Sequence, residues 1–226
     1  MTEVRVLSFD LDDTLWPIAP VIVAAEAAMW QWLRSEHPEA MRAHSIESVR
    51  EIRARIGTEF PERAHDMTFL RHRAIMELFA SDARAQQYAD AAFEVFFAAR
   101  NQVTLYPEVQ QVLEKLRGRF RLFALSNGNA DLKRCGLADF FDGHVSAISA
   151  GAAKPDARIF AHLARTAGVS AAQVLHIGDD PYTDVHGARE AGMQALWLNR
   201  DAKLWPEALG ALPRTVKSLS EILSHQ

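Results

Sequence analysis

Residues 4–15 read Val4-Arg5-Val6-Leu7-Ser8-Phe9-Asp10-Leu11-Asp12-Asp13-Thr14-Leu15. An apolar run rich in β-formers, Val4–Phe9, ends on three aspartates within four residues. Such a run reads as a strand buried on both faces, and the acids are what it carries to its end. The pattern recurs along the chain. Phe120–Leu125 is followed by Ser126-Asn127-Gly128, and Val174–Ile177 by Gly178-Asp179-Asp180. Ala195–Leu198 reads as another strand and Val145–Ile148 as a weaker one. Helical patterns lie near 107–117, 156–167 and 184–191, and a last one follows Ser218. Strands alternating with helices imply right-handed crossovers and a parallel sheet.

Working outward, the chain changes character at Trp16. Of eleven glycines, only Gly57 lies between Trp16 and Val103. Glycine supplies the positive-φ turns that strand–helix–strand chains need often and helical hairpins need rarely. That segment is rich in Ala, Arg and Glu, with apolar residues at helical spacing such as Met67, Leu70, Ala74 and Leu78. We expect four helices, near 18–35, 46–56, 64–80 and 82–100, with breaks at Pro38 and Pro61. The fold class is therefore α/β: a Rossmann-like three-layer core with a parallel sheet, over 1–15 and 104–226, and an inserted all-helical domain over 16–103.

Composition narrows the function classes. The chain has 226 residues, 49% hydrophobic and 24% charged, with net charge −4. That suits a globular chain with a sizeable core, and gives no electrostatic case for a dedicated nucleic-acid binder. A lone cysteine, Cys135, builds neither an intrachain disulfide nor a thiolate metal site, and reads as a small buried hydrophobe. The start lacks the basic and apolar regions of a signal peptide, and no apolar run approaches a membrane span. A cytoplasmic protein without membrane partners is expected.

The polar residues after the strands should gather at one sheet edge, where open parallel sheets bind ligands. Asp10, Asp12 and Asp13 form one acidic cluster; Asp179, Asp180 and Asp184 form another. Aspartates also make caps and solvated turns, but two such clusters at two strand ends favour a shared cation. Oxygen ligands without His or Cys point to a hard ion, Mg2+ first. Ser126-Asn127-Gly128 offers a hydroxyl and N–H groups sized for a phosphate, or else an ordinary turn. Lys154-Pro155-Asp156 opens a helix and places a cation before it, either solvated or aimed at a phosphate.

Phe9-Asp10-Leu11-Asp12-Asp13-Thr14-Leu15 resembles the first motif of the haloacid dehalogenase superfamily. Ser126-Asn127 matches the second motif, Lys154 the third, and Gly178-Asp179-Asp180-Pro181-Tyr182-Thr183-Asp184 the fourth, in family order. The helical insert resembles that superfamily's C1-type cap. The resemblance implies a phosphatase that uses Mg2+ and an aspartyl-phosphate. Asp10 would be the nucleophile and Asp12 the general acid and base. Mg2+ would be held by Asp10, the Asp12 carbonyl and Asp179. Ser126, Asn127 and Lys154 would hold the phosphoryl group, with Asp180 and Asp184 as further candidates around the metal. The dehalogenase branch lacks an acid at the position of Asp12, so dehalogenation is disfavoured. A phosphomutase stays open. A receiver-like phospho-accepting signalling domain is disfavoured by the helical insert and by Asp12.

Substrate choice should lie with the helical insert. Trp16 reads either as a hinge residue or as a buried aromatic. His65, Asp66, Arg71 and Arg73 lie on one expected helix and are candidates for substrate contact. With Ser126-Asn127-Gly128-Asn129-Ala130, the run His176-Ile177-Gly178-Asp179-Asp180 with Thr183-Asp184-Val185, and Gly192-Met193-Gln194-Ala195, the chain as a whole resembles the bacterial phosphatases of riboflavin biosynthesis. That implies a small phosphate ester, 5-amino-6-(5-phospho-D-ribitylamino)uracil or FMN. Nucleoside monophosphates, phosphoglycolate and sugar phosphates are the competing substrates. The sequence does not fix the oligomeric state.

Overall fold

The computed structural model describes residues 3–80 and 82–224. The chain divides into two compact units. One is made of Ile18–Val103 and Asn129–Cys135; the other holds the chain up to Pro17, Thr104–Gly128 and the residues from Gly136 on.

The first unit is helical: α1 (Ile18–Glu36), α2 (Pro38–Met41), α3 (Ile46–Glu59), α4 (Met67–Glu77) and α5 (Ala85–Arg100). Helix α1 buries Val21, Ala25, Met29 and Leu33 at four-residue spacing, and α5 buries Ala89, Ala92 and Phe96. Those stripes meet in one core with Ile56, Leu70 and Ile75. Ser45 starts α3 with a reciprocal capping box to Ser48, and Pro38 opens α2, a short helix the sequence pattern does not announce. Segment 129–135 joins this unit through Asn101. The Asn101 amide donates to the Phe97 carbonyl (2.8 Å) and accepts from the Asp131 N–H (2.8 Å) and the Cys135 thiol (3.3 Å). Cys135 is half-buried, and its thiol serves as a donor rather than as a small buried hydrophobe.

One charge cluster lies inside this helical core. Glu26 of α1 is buried, and three guanidinium groups surround it. Arg50 binds Oε2 (2.5 and 2.8 Å), while Arg53 (3.3 Å) and Arg71 (3.7 Å) approach Oε1. Arg71 also stacks on Phe96, 3.6 Å from the ring centroid. Burial, reinforced by Arg53 and offset by Glu26, pulls its guanidinium down to about 9. Arg71 thus serves the unit's own interior. Asp66 caps α4 by accepting from the Phe69 N–H (2.8 Å) and holds Arg63 (2.7 Å).

The second unit contains β1 (Val6–Phe9), α6 (Val109–Arg117), β2 (Arg121–Ser126), β3 (Gly143–Ser146), α7 (Ala147–Ala150), α8 (Ala157–Ala167), β4 (Val174–Gly178), α9 (Gly187–Glu190), β5 (Gln194–Leu198) and β6 (Arg214–Val216). The strands form one parallel sheet in the order β3-β2-β1-β4-β5-β6. The expected α/β class with a parallel sheet is what is found. Strand β1 is central and buried throughout, as its unbroken apolar run requires. The chain winds one way from β1 to β3 and the other way from β4 to β6. The switch point therefore lies between β1 and β4, where such sheets bind ligands.

Four details depart from the sequence reading. The weak strand ends at Ser146 rather than Ile148, because Ser146 caps α7 and turns the chain. Strand β6 was not expected; three residues with two exposed give little signal. The helix expected near 184–191 begins earlier as a wide π turn, Pro181–His186, and the last helix is a 3-10 segment, Leu219–Ser224. No helix among the described residues is long and apolar enough to cross a membrane.

The Glu26 cluster gives a stability test. Glu26→Gln leaves the Arg71 guanidinium buried without its counter-charge. It should lower unfolding free energy by about 3 kcal/mol in urea titration. Glu39→Gln breaks the exposed Glu39–Arg42 pair and should change it by less than about 0.5 kcal/mol.

Candidate active site

Strand ends β1, β2 and β4 bring Asp10, Ser126 and Asp179 to one cleft of about 210 Å3. Six aspartates and one lysine line it, with Ser126, Asn127, Gly128 and Thr183. That volume admits a phosphoryl-sized group and falls below the 300–1,000 Å3 usual for whole ligands. Any larger substrate must reach beyond it. A larger surface pocket of about 570 Å3, lined by Trp30, Arg34, Met41 and His44, lies in the helical unit and holds none of the candidate catalytic, binding or metal-ligating residues.

The cleft is built on a buried ammonium. Lys154 Nζ donates to Asp10 Oδ1 (2.5 Å), Asp184 Oδ1 (2.6 Å) and the Leu125 carbonyl (3.1 Å). Burial acts to lower the Lys154 pKa, but Asp10 and Asp184 hold it well above the usual lysine range, so it stays charged. Lys154 is set by its backbone. The Asn127 side chain accepts from its N–H (2.7 Å) and donates to its carbonyl (3.0 Å). The Asn127 amide is thereby a clamp on the Lys154 loop. Ser126 Oγ accepts from the Gly128 N–H (2.9 Å) and retains a hydroxyl proton to donate. Asp156 caps α8, as the Lys-Pro-Asp pattern predicts.

Beneath Asp184 lies a layer absent from the sequence reading. His176 Nε2 is 3.1 Å from Asp184 Oδ1, and His176 Nδ1 is 3.0 Å from the Ser8 hydroxyl. Burial lowers the His176 pKa against the pull of Asp184. A neutral ring donating from Nε2 and accepting at Nδ1 satisfies all three groups. Ser8 and His176 are register partners on β1 and β4. Two polar residues in otherwise apolar strands were the available signal. Asp184 Oδ2 also accepts from the Asp180 N–H (3.0 Å). Burial would raise the Asp184 pKa, but Lys154 and then His176 hold it far below the carboxylate range. Asp180 turns away to cap the π turn, accepting from the N–H groups of Tyr182 (2.9 Å) and Thr183 (2.6 Å). Gly178 is required beside this network, since a Cβ there would overlap the Asp184 carboxylate.

Asp12 points to a different partner. The Trp16 indole N–H donates to its Oδ1 (2.9 Å), and Trp16 is fully buried. The bulky residue after the acidic loop is thus an orienting group for Asp12. Asp13 closes the loop in the left-handed region at φ 61°, its N–H bound to the Trp16 carbonyl (2.7 Å).

Carboxylate oxygens of Asp10, Asp179 and Asp184 lie within 4.8 Å of one another. Burial raises the Asp10 pKa well above normal, Lys154 opposing and Asp184 adding to it. Burial, then the charges of Asp184 and Asp13, pushes Asp179 up to about 7. One ammonium, Lys154, meets two of these three carboxylates, which leaves the set short of positive charge. An all-oxygen set of this spacing fits Mg2+.

Comparison with known proteins agrees with this geometry. The 5-amino-6-(5-phospho-D-ribitylamino)uracil phosphatase YigB of Escherichia coli is 33% identical over 200 residues, 87% of this chain and 84% of that protein. The phosphoserine phosphatase of Thermus thermophilus is 35% identical over 149 residues, 63% of this chain and 59% of that protein. A crystal structure described as a 2-haloacid dehalogenase from Pseudomonas syringae pv. Tomato matches with a TM-score of 0.92 at 41% identity, covering 98% of this chain and 97% of that one. Residues 4–192 match the haloacid dehalogenase-like hydrolase family, and the chain belongs to it.

Proposed function

We propose that this enzyme is a Mg2+-dependent phosphomonoesterase that works through an aspartyl-phosphate on Asp10. The observation that carries the reading is Asp12, an acid two residues beyond the nucleophile and oriented by Trp16. Cleaving P–O bonds of an alkyl phosphate needs a proton for the leaving oxygen; displacing halide from carbon does not. The dehalogenase reading is favoured by the 41% identity to the Pseudomonas structure, and Asp12 stands against it.

An Asp10 carboxylate oxygen attacks phosphorus as the bond to the leaving oxygen breaks, and Asp12 gives that oxygen a proton. Asp12, now a carboxylate, takes a proton from water. The water oxygen attacks phosphorus, the bond to Asp10 breaks, and inorganic phosphate leaves. Lys154, the Ser126 hydroxyl and nearby N–H groups hold the equatorial oxygens. Asp10 and Asp179, with the Asp12 carbonyl, would hold Mg2+, which supplies charge neutralisation for the phosphoryl oxygens. Asp184 supports Lys154 and would be a further oxygen donor near the ion; Asp180 shapes the turn. The helical segment, expected over 16–103 and found over Ile18–Val103, is assigned the role of the family's C1-type cap. A small phosphate ester is the substrate. Likeness to YigB supports 5-amino-6-(5-phospho-D-ribitylamino)uracil, with FMN a related candidate.

Asp10→Asn should fold normally and lose at least about 1,000-fold in kcat with p-nitrophenyl phosphate. An active variant, or full activity in excess EDTA, would sink the mechanism. Trp16→Phe keeps the ring but removes the indole donor. It should lower kcat by about 10-fold with little change in KM, part of the 100- to 10,000-fold that a placed acid–base group supplies. Substrate identity is read from kcat/KM across a panel of ribitylaminouracil phosphate, FMN, nucleotides, phosphoglycolate and 2-chloropropionate. Preference for a phosphate outside the flavin pathway defeats the substrate assignment, and halide release defeats the phosphatase reading.

A further inference from the structure

Among the described residues, two non-glycine positions have positive φ: Asp13 (61°) and Ala202 (53°). Backbone strain of this kind persists where the surroundings enforce it and concentrates at functional sites. Asp13 lies in the acidic loop. Ala202 lies just after β5, in the turn Asn199-Arg200-Asp201-Ala202-Lys203. Asn199 enforces that turn. Its Nδ2 donates to the Lys203 carbonyl (2.9 Å), its Oδ1 accepts from the Lys203 N–H (2.8 Å), and its own N–H binds Val216 of β6 (2.8 Å).

The strained turn delivers a charge. Lys203 Nζ lies 3.9 Å from Asp179 Oδ2 and 3.7 Å from Asp201 Oδ2. The neighbouring cation, Arg200, is committed elsewhere: to Glu108 (2.6 Å), the Thr14 carbonyl (2.9 Å) and the Tyr106 ring. Lys154 meets the cluster through Asp10 and Asp184. Lys203 is thus a cation set against Asp179, the one acid of the proposed metal set that Lys154 does not bind. At 53% side-chain exposure it can leave without a large burial cost.

We infer that Lys203 is a tethered competitor for the metal: its ammonium neutralises Asp179 when no ion is bound and weakens divalent-ion affinity by repulsion. The inference rests on the metal reading proposed above. A merely structural ion pair would behave oppositely, because losing it would loosen Asp179 and weaken binding.

The test is calorimetric titration of the metal-free full-length protein with MgCl2, which reads affinity without turnover. Lys203→Gln should bind Mg2+ roughly 3- to 10-fold more tightly than the unsubstituted protein, the scale of one half-exposed charge a few ångströms away. Raising ionic strength from about 0.02 to about 0.3 M should narrow that gap. Lys203→Arg, which keeps the charge, should stay within about twofold of the unsubstituted protein. Equal or weaker binding by Lys203→Gln overturns the role of Lys203 and leaves the metal site standing. No Mg2+ binding by the unsubstituted protein overturns both.

Discussion

One buried ammonium ties three strand ends together. Lys154 meets Asp10 beyond β1, the Leu125 carbonyl within β2, and Asp184 in the turn beyond β4. Removing a cation from water costs several kcal/mol, and only good geometry with several oxygens repays it. The charge is therefore stable in one arrangement, with β2, β1 and β4 adjacent and in register. The Asn127 clamp and the Ser8–His176–Asp184 chain extend that constraint into loop and sheet. Sheet order and site geometry are solved by the same contacts.

The two units treat buried charge in opposite ways. In the helical unit one carboxylate, Glu26, meets three guanidinium groups, and the cluster closes on itself. In the α/β unit six aspartates line a cleft with one lysine. Five of those carboxylates are anchored, Asp10 and Asp184 by Lys154, Asp12 by Trp16, Asp179 by Thr14 and Asp180 by turn N–H groups, yet their sum is unbalanced. Burial, and after it the charges of Asp184 and Asp13, pushes Asp179 up to about 7. A cluster with such a deficit is suited to take up cations.

Much of this was legible in the sequence, because strand-end acids follow directly from buried strands that stop abruptly. The glycine count separated helical from α/β segments for an equally direct reason, the need for positive φ in tight turns. The layer beneath the site was harder to read. Ser8 and His176 look like isolated polar flaws until the register places them side by side. Arg71 reads as a candidate for substrate contact, since nothing in α4 alone reveals a buried acid on α1. Segment 129–135 gives no sign of joining the helices, because its links are scattered polar contacts: Asn101 with Asp131 and Cys135, Thr68 with Asn129, and Glu94 with Arg134. Lys203 was silent because its position depends on a strained Ala202 that no propensity predicts.

Likeness alone does not choose the chemistry. The greater identity, 41%, is to a structure described as a dehalogenase, and the lesser, 33%, is to a phosphatase. Identity is summed mostly over residues that build the sheet and the helical core, which both chemistries share. The distinction rests on a few atoms. Asp12 matters because a phosphate ester leaves as an alkoxide that needs a proton, whereas halide leaves unaided. Trp16 strengthens the point, since its indole fixes a carboxylate that dehalogenation would not require. The excess of acids around Asp10 and Asp179 adds a second argument, because attack on a dianionic phosphate needs a divalent ion nearby and attack on a carbon–halogen bond does not.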